Sequence, residues 1–212
     1  MRKLNKTLSL SAEFSKWYAK NKTKEYNSTS NKFYYDVLYE LLIIQDGLCA
    51  YTEFRLIDEP SLEKIKDGFK KGKYSIDYFP DNPATIEHFS KTKKKNSGWD
   101  WDNLFAVFGD INIQKNHLEN KYGIEDILKP DKAEYNNLKC LMYNKSLHIF
   151  FPNSWLTNAL QNKVANMIIV LGLNNDFIKM KRREYLSEIK DKEYYLDKKQ
   201  PVNQFLTAYS MI

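Results

Sequence analysis

Three short stretches decide how this chain is read: Ala84-Thr85-Ile86-Glu87-His88-Phe89, then Trp99-Asp100-Trp101-Asp102-Asn103-Leu104-Phe105-Ala106-Val107-Phe108, then Ile111-Asn112-Ile113-Gln114-Lys115-Asn116-His117. The first reads as a short strand that ends on Glu87-His88, and the third opens a helix over 111–122. Asn103 follows His88 by 15 positions, across a lysine-rich loop, and Asn112 follows Asn103 by nine. The order is strand, loop, strand, helix. A carboxylate and an imidazole from the first strand are then expected to face an amide side chain at the helix start.

Upstream, the apolar positions Phe33, Val37, Leu38, Leu41, Leu42 and Ile44 have helical spacing over 33–46, with Gly47 placed as the C′ residue. Residues 48–54 read as a short strand or knuckle. A basic helix over 61–72 follows, with Ser61 as its N-cap and Glu63 in the first turn, and 78–83 is turn-rich. The run Lys91-Thr92-Lys93-Lys94-Lys95-Asn96-Ser97-Gly98 reads as an exposed loop. Downstream of a break at Pro130, residues 139–143 and 146–151 look like a hairpin across Asn144-Lys145. Trp155, Leu156, Leu160, Val164, Met167, Ile168 and Leu171 form one helical stripe before Gly172. Asp176 is placed to cap a second helix through Ile189, and a short helix follows Pro201. One α+β domain over 1–212 is expected, with a helical C-terminal section over 153–212 and only a weak boundary signal near Pro152.

A chain of 212 residues can bury a sizeable core without staples. Lysine and arginine number 33 against 27 acids, a formal charge of +6 that suits an anionic partner. Only Cys49 and Cys140 are present, too few for a disulfide framework or a complete structural zinc site. No signal-peptide h-region is visible, and no apolar run approaches the ~20 residues of a membrane-spanning helix. A cytoplasmic protein with no membrane role is expected.

The chemistry of the deciding stretch is specific. One divalent cation is expected between Glu87 and Asn112, since hard cations take few protein oxygens and leave places for phosphate oxygens and water. A neutral His88 beside it is a suitable base at cellular pH. Glu-His-Phe at 87–89, Trp-x-Asn-Leu at 101–104 and Asn-x-x-Lys at 112–115 resemble the HNH endonuclease motif of the ββα-metal superfamily. The wider chain, from about residue 35 onward, is similar to the HNH subunits of Septu-type and retron-associated anti-phage defence systems, the PtuB-like proteins. Gln45-Asp46-Gly47-Leu48-Cys49-Ala50-Tyr51 resembles that branch's upstream segment. Leu171-Gly172-Leu173-Asn174, with Arg182-Arg183, resembles its C-terminal helical pair.

The resemblance implies a ββα core at about 84–122 and hydrolysis of nucleic-acid phosphodiesters, DNA before RNA, in bacterial defence. It implies His88 as general base, Glu87 and Asn112 as ligands of one Mg²⁺ or Mn²⁺, and Asn103 as the residue that holds the turn and orients His88. Lys115 would touch phosphate, and a PtuA-type ATPase would be the partner subunit. Lys93, Lys94 and Lys95 are candidate nucleic-acid contacts by their place between two site elements; otherwise they are a solvated loop. His117, five residues past Asn112, sits off its helical face and is only an alternative ligand. A non-catalytic HNH-fold subunit, binding nucleic acid or a partner protein, is the competing expectation.

The departure from the branch is the loss of two Cys-x-x-Cys zinc knuckles, which here read Cys49-Ala50-Tyr51-Thr52 and Phe108-Gly109-Asp110-Ile111. One cysteine of four positions cannot build a tetrahedral zinc site, so no structural zinc is expected. Phe108 and Ile111 are expected to pack against Cys49 instead, each worth about 1.5–3 kcal/mol of burial. The blander readings are a turn for Asn103, an N-cap for Asn112, core for at least one of Trp99 and Trp101 and for Cys140, and solvent for Lys181-Arg182-Arg183.

Overall fold

The computed structural model describes residues 1–6, 12–27, 33–70, 83–122 and 127–212. Residues 71–72 of the expected basic helix and 78–82 of the turn-rich stretch lie outside them. Helices combine with two small antiparallel sheets among the described residues, an α+β protein. The chain forms two units: Leu4–Cys49 with Leu56–Asn112, and Met1–Lys3 with Ala50–Arg55 and Ile113–Ile212.

In the first unit, α1 (Ala12–Asn21) precedes α2 (Tyr34–Ile44), whose residues from Asp36 to Leu42 are all buried. The stop of α2 differs from the sequence expectation. Asp46 (φ 52°) is the C′ residue and Gly47 (φ 69°) follows it in the same left-handed region. Gly47 N–H reaches Leu42 O at 2.8 Å and Asp46 N–H reaches Ile43 O at 3.2 Å, the paired bonds of a Schellman stop. Residues 48–54 make a buried knuckle of turns rather than a strand. Helix α3 (Glu59–Lys70) begins earlier than Ser61, because Asp58 accepts the Ser61 N–H at 2.8 Å and is the cap.

Strand β1 (Ala84–His88) pairs antiparallel with β2 (Leu104–Phe108), from Ala84 opposite Phe108 to His88 opposite Leu104. Phe89 N–H donates to Asn103 O at 2.8 Å. In that phase, alternation turns the backbone groups of Leu104, Ala106 and Phe108 away from β1. Three side chains cover this open edge. Lys6 Nζ donates to Leu104 O at 2.6 Å. The Gln45 amide accepts from Ala106 N–H at 3.0 Å and donates to Ala106 O at 2.7 Å. Phe108 N–H points at Cys49 Sγ, 3.5 Å away. Cys49 and Ile111 are both buried.

Helix α4 (Gly109–Tyr122) follows β2 directly, and Gly109 N–H is tied to Pro83 O at 3.0 Å. In the second unit, the short α5 (Asn137–Cys140) takes the place expected for the first strand residues. It leads into β3 (Leu141–Asn144) and β4 (Ile149–Pro152). The loop between these strands is longer than a two-residue turn, and Asn144 Oδ1 accepts from Ser146 and Leu147 N–H to hold it. Helix α6 (Asn158–Val170) buries Val164, Met167 and Ile168, but Trp155 precedes it and is 92% exposed, outside the expected stripe. Asn175, not Asp176, caps α7 (Asp176–Leu196), accepting from Phe177 and Ile178 N–H. Arg182, read from sequence as solvent-facing, is fully buried with Ile178, Leu186 and Ile189. The chain ends through α8 (Leu206–Tyr209).

Helix α8 is pinned to α7 by Tyr209 Oη donating to Glu193 Oε1, with Lys190 Nζ 3.2 Å from the same carboxylate. The Tyr209 hydroxyl, then Lys190, hold the Glu193 carboxyl at about 2. A carboxyl depressed by folding contributes above its unfolded pKa, and that contribution is lost as the pH falls from the ordinary carboxylate range through about 2. Tyr209→Phe is expected to return Glu193 toward ~4.3, read as a shifted carboxyl titration by NMR. An unmoved titration would remove Tyr209 as the cause.

Candidate functional site

His88 is the last residue of β1 and is 1% exposed. Its Nε2 lies 2.8 Å from Gly98 O. A carbonyl can only accept, so this nitrogen carries the proton in the neutral ring and Nδ1 keeps the lone pair. Gly98 is required at that point for space rather than for backbone angle. A Cβ there would lie 2.3 Å from Tyr26 N and 2.7 Å from Lys94 O, both main-chain atoms that must shift to admit it. The Tyr26 ring stands nearly perpendicular to the imidazole with centroids 4.4 Å apart. Burial, then Tyr34, raises the Tyr26 hydroxyl far above the usual phenol range, so it stays protonated.

Asn103 closes the turn between the strands. Its Oδ1 accepts from Ser90 N–H and its Nδ2 donates to Ser90 O, both at 2.9 Å. Its amide is thus committed to the loop after His88, while the bond that fixes the imidazole itself comes from Gly98. Trp99 and Trp101 are both buried. Trp99 packs on Tyr26 and Trp17, and Trp101 N–H donates to Tyr18 Oη at 3.1 Å.

Glu87 precedes His88 and is likewise 1% exposed. Successive strand side chains project to opposite faces, so Glu87 and His88 can share a site only at the end of β1, where the chain turns off at Phe89-Ser90. Asn112 is half-buried in the first turn of α4. Glu87 carries a carboxyl and Asn112 a neutral amide oxygen, donor types that a hard cation takes.

The lysine-rich loop forms a short 3-10 helix over Lys91–Lys94. Lys93 and Lys95 are exposed and Lys94 is half-buried, with Lys93 3.2 Å from Asp100. The expectation for Lys115 is corrected. It is fully buried, and its ammonium is held 2.9 Å from buried Glu119 one turn on, so it does not present charge to a phosphate. Lys115 and exposed His117 belong to the other unit from His88. Gly98 and Tyr26 were not singled out in the sequence. The signal for Gly98 was a lone glycine closing a run of lysine, asparagine and serine; Tyr26, 62 positions before His88, carried none.

No family model matches the chain, and no curated protein matches it. Among the described residues, no helix is long and apolar enough to cross a membrane.

Proposed function

We propose that this chain is a metal-dependent HNH endonuclease built on a ββα-metal core. It would hydrolyse nucleic-acid phosphodiesters, DNA before RNA, in the bacterial cytoplasm as part of anti-phage defence. The observation that carries the reading is the Gly98 carbonyl on His88 Nε2 at the end of β1, which leaves Nδ1 as the basic nitrogen. The order of β1, loop, β2 and helix, with Asn103 fastening the turn, supports it. His88 takes the proton of the attacking water at Nδ1, and Glu87 and Asn112 would hold one Mg²⁺ or Mn²⁺. Bound there, the ion would offset charge on the phosphate and on the departing 3′ oxygen. Lys93, Lys94 and Lys95 are the remaining candidates for phosphate contact, with the salt dependence such contacts carry. A PtuA-type ATPase would be the partner subunit.

The test is a plasmid and RNA cleavage panel with Mg²⁺, Mn²⁺ and chelator, run on wild type, His88→Ala and His88→Gln. Cleavage is expected to need the metal, to stop with EDTA and to fall at least ~10²-fold in both variants. Equal cleavage by wild type and a folded variant would take His88 out of the mechanism. A second reading has its own support: an imidazole 1% exposed suits a structural histidine in an HNH-fold subunit that binds without cutting. Salt-sensitive binding with no cleavage under any divalent ion would establish that alternative.

A further inference from the structure

We infer that the segment Lys24–Tyr26 is the positioning strap of the candidate base, holding the Gly98 carbonyl on His88 and walling one side of its ring. The inference rests on the reading of His88 given above. The strap lies upstream of the stretch that carries the family resemblance and is placed by its own contacts. Tyr26 N–H donates to Lys94 O at 2.8 Å and Gly98 N–H donates to Lys24 O at 2.9 Å, so the strap clasps both ends of the 94–98 loop. The absence of a side chain at Gly98 lets the two main chains approach this closely, as the 2.3 Å clash of an added Cβ with Tyr26 N shows.

The ring of the same residue completes the arrangement. Tyr26 meets the imidazole at 79° and tilts over Trp99 with centroids 4.7 Å apart. Trp99 in turn meets Trp17 of α1 edge-on at 5.2 Å. A tyrosine that only filled core would need the ring contacts; here main chain, carbonyl and ring converge on one imidazole. Tyr26 touches no reacting atom in this scheme and acts through His88. Misplacing a catalytic group by about 1 Å costs up to ~10²-fold in rate, which sets the scale expected of the strap.

The experiment uses the full chain labelled with ¹⁵N-histidine, the three histidines being separated by a His88→Gln control. It compares wild type, Tyr26→Phe and Tyr26→Leu, with Tyr26→Met as a second variant of similar bulk if the leucine variant does not fold. Imidazole correlation spectra read the tautomer, and Mg²⁺-dependent plasmid cleavage gives kcat and KM. Wild type and Tyr26→Phe are expected to show His88 as the Nε2–H form, with kcat agreeing within about twofold. Tyr26→Leu is expected to mix tautomers and lower kcat by ~10–100-fold while KM stays within about twofold. A folded leucine or methionine variant that keeps a pure Nε2–H form overturns the strap, as does wild type showing Nδ1–H. If wild type cuts nothing, the nuclease reading falls alone, and the tautomer spectra still decide the strap.

Discussion

Gln45→Met is expected to destabilise the protein by about 3–5 kcal/mol, seen as a lower urea midpoint. The substitution keeps the length of the side chain and removes its polar atoms. Gln45 is 1% exposed, and its amide serves three main-chain groups: Leu48 O at 2.8 Å, Ala106 O at 2.7 Å and Ala106 N–H at 3.0 Å. Each buried group left without a partner costs about 1–3 kcal/mol, and water has little access to any of the three. The location makes the loss more than local. A two-stranded sheet is marginal by itself, and Gln45 supplies β2 with the pairing a third strand would give. The Ala106 amide should therefore exchange with deuterium faster in the variant, and so should the amides of the β1–β2 pair. A loss below about 1 kcal/mol would mean that the edge is held by Lys6 and Cys49 without the amide.

That role was only half visible in the sequence. Gln45-Asp46-Gly47-Leu48 stood out as a motif, yet nothing in it names Ala106, 61 positions away, as the partner. Local rules did well where structure is local. The short strand read over 84–89, the aromatic and apolar stretch ending at Phe108 and the helical stripe at Val164, Met167 and Ile168 fall on β1, β2 and α6. Cap positions slipped by one to three residues, because asparagine and aspartate compete for the same role. Asn175 outranks Asp176, and Asp58 outranks Ser61 since Pro60 is tolerated in a first helical turn. Burial of charge was the larger miss. Lys115, a phosphate contact by the resemblance, has in Glu119 one turn on an i, i+4 partner that lets both be buried. Within the candidate site, the spacing that singles out Glu87, His88 and Asn103 is visible in the sequence. Gly98 and Tyr26 escaped because their contribution is a carbonyl direction and a ring face, which only tertiary structure supplies.

The second sheet is completed by the same device. Asn174 accepts from Phe150 N–H and donates to Phe150 O, both at 2.8 Å, as Gln45 does for Ala106. Two of the flanking segments that carried the family resemblance thus each furnish an amide that closes the open edge of a two-stranded sheet.

Arg182→Ala is expected to lower stability by about 3–5 kcal/mol, with Arg182→Lys intermediate. Arg182 is fully buried on α7, and its guanidinium donates to Leu173 O at 2.9 Å and His148 O at 2.5 Å. It also lies 4.8 Å from the Phe150 ring centroid and 5.6 Å from that of Tyr143. One flat cation thus joins the turn before α7 to the β3–β4 hairpin and stacks on the hairpin's aromatic face. Alanine removes two charge-assisted bonds at about 1.5–3 kcal/mol each and leaves a cavity. Lysine keeps the charge but cannot reach two carbonyls in one plane. A second readout separates lost charge from lost packing. Burial, then Arg182 and Arg183, hold the His148 imidazole below the usual histidine value. Removing the charge at 182 should raise the His148 pKa in the alanine variant and leave it nearly unmoved with lysine. A folded alanine variant with both stability and His148 titration unchanged would show that the arginine is merely accommodated in the core, and the hairpin would need another anchor.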